Sequence, residues 1–203
     1  MLAIAVLAPA CVEPTDDAGD GAGQDAGAMS EGSAAEGNDD PDSGDDSNDS
    51  NDGAGVTESL VDVEGWVLDA MVPEVLSADR PAEVECEHGY GLEDGLFEVD
   101  TELCNWGAFT QPTLASIQAG DTLEVIILHD TLYSEDEDAV AHIAVAIGDA
   151  MLWDTTIEIP APPGYLRPMI TVEEDFEPGT PLHLHVHNHG YNNYRVVDIT
   201  VTH

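Results

Sequence analysis

The 203-residue chain contains no lysine and only three arginines, set against 43 aspartates and glutamates. Its formal net charge is -40 at pH 7. Without a basic patch it cannot neutralise a phosphate backbone or an anionic lipid surface, so nucleic acid and electrostatic membrane binding are excluded. Such a field instead attracts divalent cations. Apolar runs are equally short. The longest, Leu2 to Ala10, falls far below the roughly 20 residues that a membrane-spanning helix needs. The motifs of common enzyme chemistry are missing too: no G-x-S-x-G, no His-Glu-x-x-His and no phosphate loop. A binding protein is therefore the expectation, not an enzyme.

What the chain does contain divides into three parts. Residues 1–10 suit the hydrophobic region of a signal peptide, and small residues lead directly to Cys11. This arrangement resembles a bacterial lipobox, although Ala8 stands where leucine is usual and no basic residue precedes the apolar run. The resemblance implies export, lipidation of Cys11 and anchoring to a membrane of the cell envelope. Residues 11–58 follow as a linker of Asp, Gly, Ala, Ser, Asn and Glu, with 15 acidic residues, no basic ones and no aromatics. Too little apolar surface is available there to offset the entropy of ordering, so disorder is expected. An acidic spacer after such a cysteine is similar to the tether of surface lipoproteins. An EF-hand aligned on Gly53 fails, because Ser59 stands where the closing glutamate is required.

Residues 59–203 read as an all-β domain. Thr122 to His129 is β-rich and follows an Ala-Gly-Asp turn cue. Val140 to Ile147 and Ala150 to Ile159 flank Gly148-Asp149 as a hairpin. Further strands are expected at Leu166 to Val172, Pro181 to His187 and Tyr194 to Val201. Val61 to Leu68, Ala82 to Cys86 and Leu96 to Val99 complete the set. Short strands at this density, with no amphipathic helix, predict an antiparallel β-sandwich, jelly-roll-like in character. Cys86 and Cys104 are the domain's two cysteines, and in an oxidising compartment they are expected to form a disulfide.

Chemistry concentrates in Pro181-Leu-His-Leu-His-Val-His-Asn-His-Gly190, which carries four of the eight histidines. Alternation along a strand places Leu182, Leu184 and Val186 on one face and His183, His185 and His187 on the other. His142 occupies the small-residue face of its own strand, beside Ala144 and Ala146. If the two strands are neighbours, His142 joins the set, and zinc or copper is the expected ion. A His-x-His pair plus one histidine from an adjacent strand resembles the ligand arrangement of carbonic anhydrases, which implies metal binding. The competing reading is a solvated sheet face whose imidazoles offset nearby carboxylates. Cupredoxin and cupin patterns fail on a missing cysteine ligand and on spacing. An alternative site for glycan or protein ligands, free of metal, comprises Trp106, Asn188, Tyr191, Asn193 and Tyr194.

The lack of lysine amid abundant Asp and Glu resembles the composition of salt-adapted proteins. Self-repulsion of this magnitude is screened by salt. The melting temperature should therefore rise between dilute buffer and molar NaCl in a calorimetric scan; a flat dependence would count against the charge argument.

Overall fold

The computed structural model describes residues 55–203; the signal segment, Cys11 and most of the expected linker lie outside them. Twelve strands run in chain order: β1 (Thr57–Ser59), β2 (Val67–Leu68), β3 (Tyr90–Glu93), β4 (Leu96–Asp100), β5 (Trp106–Pro112) and β6 (Thr122–His129). They continue as β7 (Val140–Ile147), β8 (Ala150–Glu158), β9 (Gly164–Leu166), β10 (Met169–Thr171), β11 (Pro181–Asn188) and β12 (Asn193–Thr202). Among the described residues, one 3-10 turn covers Glu74–Leu76. Among the described residues, no helix is long and apolar enough to cross a membrane.

The strands form two antiparallel sheets, and the domain is an antiparallel β-sandwich. The first runs β10-β6-β12-β4-β3, with β1 alongside β12 and β9 alongside β6. The second runs β2-β5-β11-β7-β8. The β7–β8 hairpin turns at Gly148, whose φ of 57° suits a residue without Cβ. Cys86 and Cys104 are joined as a disulfide.

The core lies where the inner faces meet. Leu182, Leu184 and Val186 of β11 pack with Ile143, Val145 and Ile147 of β7 and with Phe109 of β5. The facing sheet supplies Leu123, Val125 and Ile127 of β6 and Val196, Ile199 and Val201 of β12. Alternation along each strand puts these groups on one side, as expected from the sequence.

Several segments depart from the sequence reading. Val61 to Leu68 is strand only at its last two residues, because the chain there turns at Asp62–Gly65 with a backbone hydrogen bond of 2.9 Å. Ala82 to Cys86 forms no strand; Glu85 is instead tied to Asn105 through two hydrogen bonds, N–H to Oδ1 and N–H to carbonyl. Leu166 to Val172 is broken at Arg167-Pro168 into β9 and β10, which pair in turn with the two ends of β6. The ordered domain also starts before residue 59, since Thr57–Ser59 pairs with Thr200–Thr202.

Leu184 is 1% exposed at the centre of β11. Its replacement by alanine should lower stability by about 3 kcal/mol, the usual cost of a cavity at a fully buried leucine. Urea denaturation of Leu184→Ala measures this, and a loss below about 1 kcal/mol would place β11 outside the core.

Candidate metal centre and adjoining cleft

The outer face of the second sheet is covered along β11, where every residue after Pro181 is buried. Antiparallel register sets His183 opposite Ala146, His185 opposite Ala144 and His187 opposite His142. On the other side of β11, the same three histidines oppose Thr110, Ala108 and Trp106 of β5. Residues 69–80 cross this face as a strap. Its Asp69 N–H donates to the Ala108 carbonyl at 2.8 Å, and Leu76 packs on Ala144 and Ala146 with Val72 beside it. Alanine at these two positions leaves the depth that Leu76 fills. His185 is consequently 0% exposed and His183 6%, so the reading of a solvated histidine face is overturned.

The strap inserts one carboxylate among the imidazoles. Asp79 Oδ2 lies 2.7 Å from His142 Nδ1, 2.9 Å from His187 Nδ1 and 3.3 Å from His185 Nε2. Trp106 Nε1 donates to the second oxygen, Asp79 Oδ1, at 3.1 Å. The Arg80 guanidinium lies over the Trp106 ring at 4.5 Å, a cation–π contact. Burial pushes the Asp79 carboxyl up, but the three imidazoles outweigh burial and hold it well below the usual carboxylate range. Burial pushes the pKa of His187 down from its ordinary value, and that of His183 likewise, despite the raising influence of Asp79 and Asp69. Donor atoms of Asp79, His142 and His185 all lie within 4.8 Å of one another.

One contact sets the proton arrangement. His185 Nδ1 lies 2.9 Å from the Gly107 carbonyl, which can only accept, so Nδ1 carries the hydrogen. A neutral His185 then turns the lone pair of Nε2 toward the Asp79 carboxylate. Two acceptors facing each other repel unless a cation or an added proton lies between them. Asp154 Oδ2, 3.5 Å from His142 Nε2, occupies a similar outer position for His142. Outer partners of this kind orient metal-bound imidazoles.

The set brought together is thus His142, His185 and His187 with Asp79. His183 stands apart, because its register partner on β7 is Ala146; it faces Asp69 at 3.1 Å instead. Asp79 was not found from the sequence. It is one of 43 acidic residues on a segment without periodicity, and the spacing of Val72 and Leu76 was its weak signal. His189 stacks edge-on against His187, with centroids 4.7 Å apart. His129 lies on the inner face of β6 beside Tyr194, and His203 bonds Asp121 and Glu58.

The alternative ligand residues are dispersed. Trp106 is 3% exposed beneath the strap and Tyr194 is 1% exposed in the core. The Tyr194 hydroxyl accepts from Asn188 Nδ2 at 2.8 Å, and burial pushes its phenol up. Asn193 donates to Glu98. Asn188 and Tyr191 do share a cleft of about 420 Å³ that His187 and His189 also line. Tyr191 is 56% exposed there.

No family model matches the sequence, and no curated protein matches it. Solved structures similar to the domain include a CBM4 structure, at 10% identity and TM-score 0.42, over 69% of this chain and 96% of that one. A xylan-binding module CBM15 is similar at 10% identity and TM-score 0.45, over 73% and 96%. The N-terminal cellulose-binding domain of Cellulomonas fimi β-1,4-glucanase C gives 10% and 0.43, over 68% and 89%. Likeness at these values carries no information about a ligand.

Removing the Asp79 side chain leaves the imidazoles of His142 and His187 and the Trp106 N–H without an acceptor. Asp79→Ala should cost about 2 kcal/mol, below the full buried-pair penalty because Asp79 is partly exposed. Urea denaturation in the presence of a chelator measures this without any contribution from metal; an unchanged midpoint would mean that the strap is held by Leu76 alone.

Proposed function

We propose that the domain is a binding module that holds one divalent transition-metal ion on Asp79, His142, His185 and His187. The observation that carries this reading is the orientation of His185, whose Nδ1–H is held by the Gly107 carbonyl while Nε2 faces Asp79 Oδ2 at 3.3 Å. Separations of 2.7 to 3.3 Å around Asp79 Oδ2 also suit an ion between the groups. Tetrahedral ligands about 2.0–2.1 Å from zinc stand roughly 3.3–3.4 Å apart; the donors of Asp79, His142 and His185 already lie within 4.8 Å of one another, and His187, which meets Asp79 Oδ2 at 2.9 Å, would move in to complete the set. Three imidazoles and a carboxylate without a thiolate favour Zn(II) or Cu(II). Four protein ligands close a tetrahedral shell, which suits a structural or sequestering ion more than a catalytic one. Export and a lipid anchor at Cys11 complete the proposal, supported by the Cys86–Cys104 disulfide, which belongs to an oxidising compartment.

A second reading, recognition of a glycan, is favoured by the cleft beside the metal centre, with Tyr191 exposed at its rim.

Elemental analysis of the full chain, purified without chelator, tests the metal reading. About one equivalent of zinc or copper is expected per chain, falling at least tenfold in His185→Ala, as loss of one of four ligands predicts. Absence of metal, with no uptake of either ion and a melting temperature indifferent to chelator, would overturn it.

A further inference from the structure

The metal centre and the cleft share their base. Beyond Asp79 the chain continues to Pro81 and Glu85, which line one wall. The opposite wall is His187 to Tyr191, which begins at the imidazole whose Nδ1 meets Asp79. An ion held by Asp79 and His187 therefore joins the two walls directly. The upper wall is fixed independently: Ser134 Oγ donates to the His189 carbonyl at 2.6 Å, and Thr101 Oγ1 to the Gly190 carbonyl at 2.8 Å. A Cβ at Gly190 would collide with the Tyr133 carbonyl, so this turn cannot shift freely.

The lining defines the chemistry of an occupant. Glu85, Glu102, Glu135 and Asp136 border the cleft, and no lysine or arginine does. Uncompensated carboxylates disfavour uronates, sulfates and phosphates, yet they are strong acceptors for hydroxyl donors. Asn188, 2% exposed in the wall, gives Nδ2 to Tyr194, and its Oδ1 has no partner among the described residues. Buried polar atoms are rarely left so. Tyr191 adds an accessible aromatic face on which a sugar ring can lie.

We propose that this cleft binds a neutral, hydroxyl-rich saccharide, and that the ion on Asp79 and His187 sets its affinity by tying the two walls together. This rests on the metal reading above. Without the ion the walls meet through Asp79 and through Asn105, which bonds Glu85 and accepts from the Asn188 N–H at 3.1 Å, so part of the binding energy must then order the strap between these two ties.

Isothermal titration of the full chain, zinc-loaded and chelator-stripped, against hexaoses of glucose, xylose and mannose and against hexagalacturonate tests this. At least one neutral hexaose should bind the zinc form, about tenfold more weakly after stripping and about tenfold more weakly in Tyr191→Ala. Hexagalacturonate should not bind. Failure of all three neutral hexaoses with the zinc form, or preference for hexagalacturonate, overturns the saccharide assignment. Equal affinity with and without zinc overturns the coupling. If the metal reading itself fails, elemental analysis finds no ion, while any saccharide binding appears unchanged in both preparations.

Discussion

A carboxylate oxygen that meets three imidazoles is an electrostatic problem before it is a site. Asp79 is ionised, as its environment requires, and each imidazole can present either a proton or a lone pair to it. His142 and His187 can each offer an Nδ1–H. His185 cannot offer one from Nε2 while neutral, because its hydrogen is committed to Gly107 on the far side of the ring. That contact therefore needs either an added proton on Nε2 or a cation between the two groups. Everything on the outer face of the second sheet depends on how that need is met, since the same carboxylate secures the strap over the histidines and accepts from Trp106.

The strap explains why β11 is buried on both faces. A strand of an antiparallel sandwich ordinarily has one solvated face. Here the inner face is aliphatic and belongs to the core, while the outer face carries imidazoles beneath Val72, Leu76 and Asp79. Ala144 and Ala146 on β7 and Ala108 on β5 keep that face shallow enough for a covering segment to reach the ring nitrogens. Substituting larger side chains would lift the strap and withdraw Asp79 from His185. The small residues beside the histidines are thus part of the centre, although none has a polar side chain.

Much of this architecture was legible where the chain alternates. β6, β7, β11 and β12 stand close to where alternation puts them, because each buries one aliphatic row, and β8 follows β7 through the hairpin turn at Gly148. β5 escaped notice: Trp106-Gly-Ala-Phe-Thr-Gln-Pro mixes a core phenylalanine with small and polar residues, and its large tryptophan points outward under the strap. His142 does lie on a strand beside β11, with His187 as its register partner and His185 within reach, while His183 pairs with Ala146. Parity fixes the face of a residue and not its register, and a shift of four residues along β11 separates His183 from His187. Trp106, Asn193 and Tyr194 looked like recognition groups because aromatics beside amides suit sugars. Trp106 and Tyr194 are buried and Asn193 is bonded to Glu98, placements that only contacts distant in sequence could reveal.

The remaining question is what the rest of the charge does to this centre. A divalent ion with one carboxylate and three neutral imidazoles carries a local net charge of +1, within a chain whose formal charge is -40. Long-range attraction favours every cation equally and so raises local concentration without choosing among metals. Selection falls to the first ligands. His185 and His187 are fixed two positions apart on a rigid strand and His142 is fixed beside them by the ladder, so only Asp79, on the strap, can adjust its distance. Under the metal reading proposed above, an ion whose preferred geometry brings Asp79 down onto His185 would also draw the strap, and the wall that follows it, against the sheet. Differential stabilisation of that closed arrangement, and not raw electrostatic affinity, is what would let the centre act on anything bound beside it.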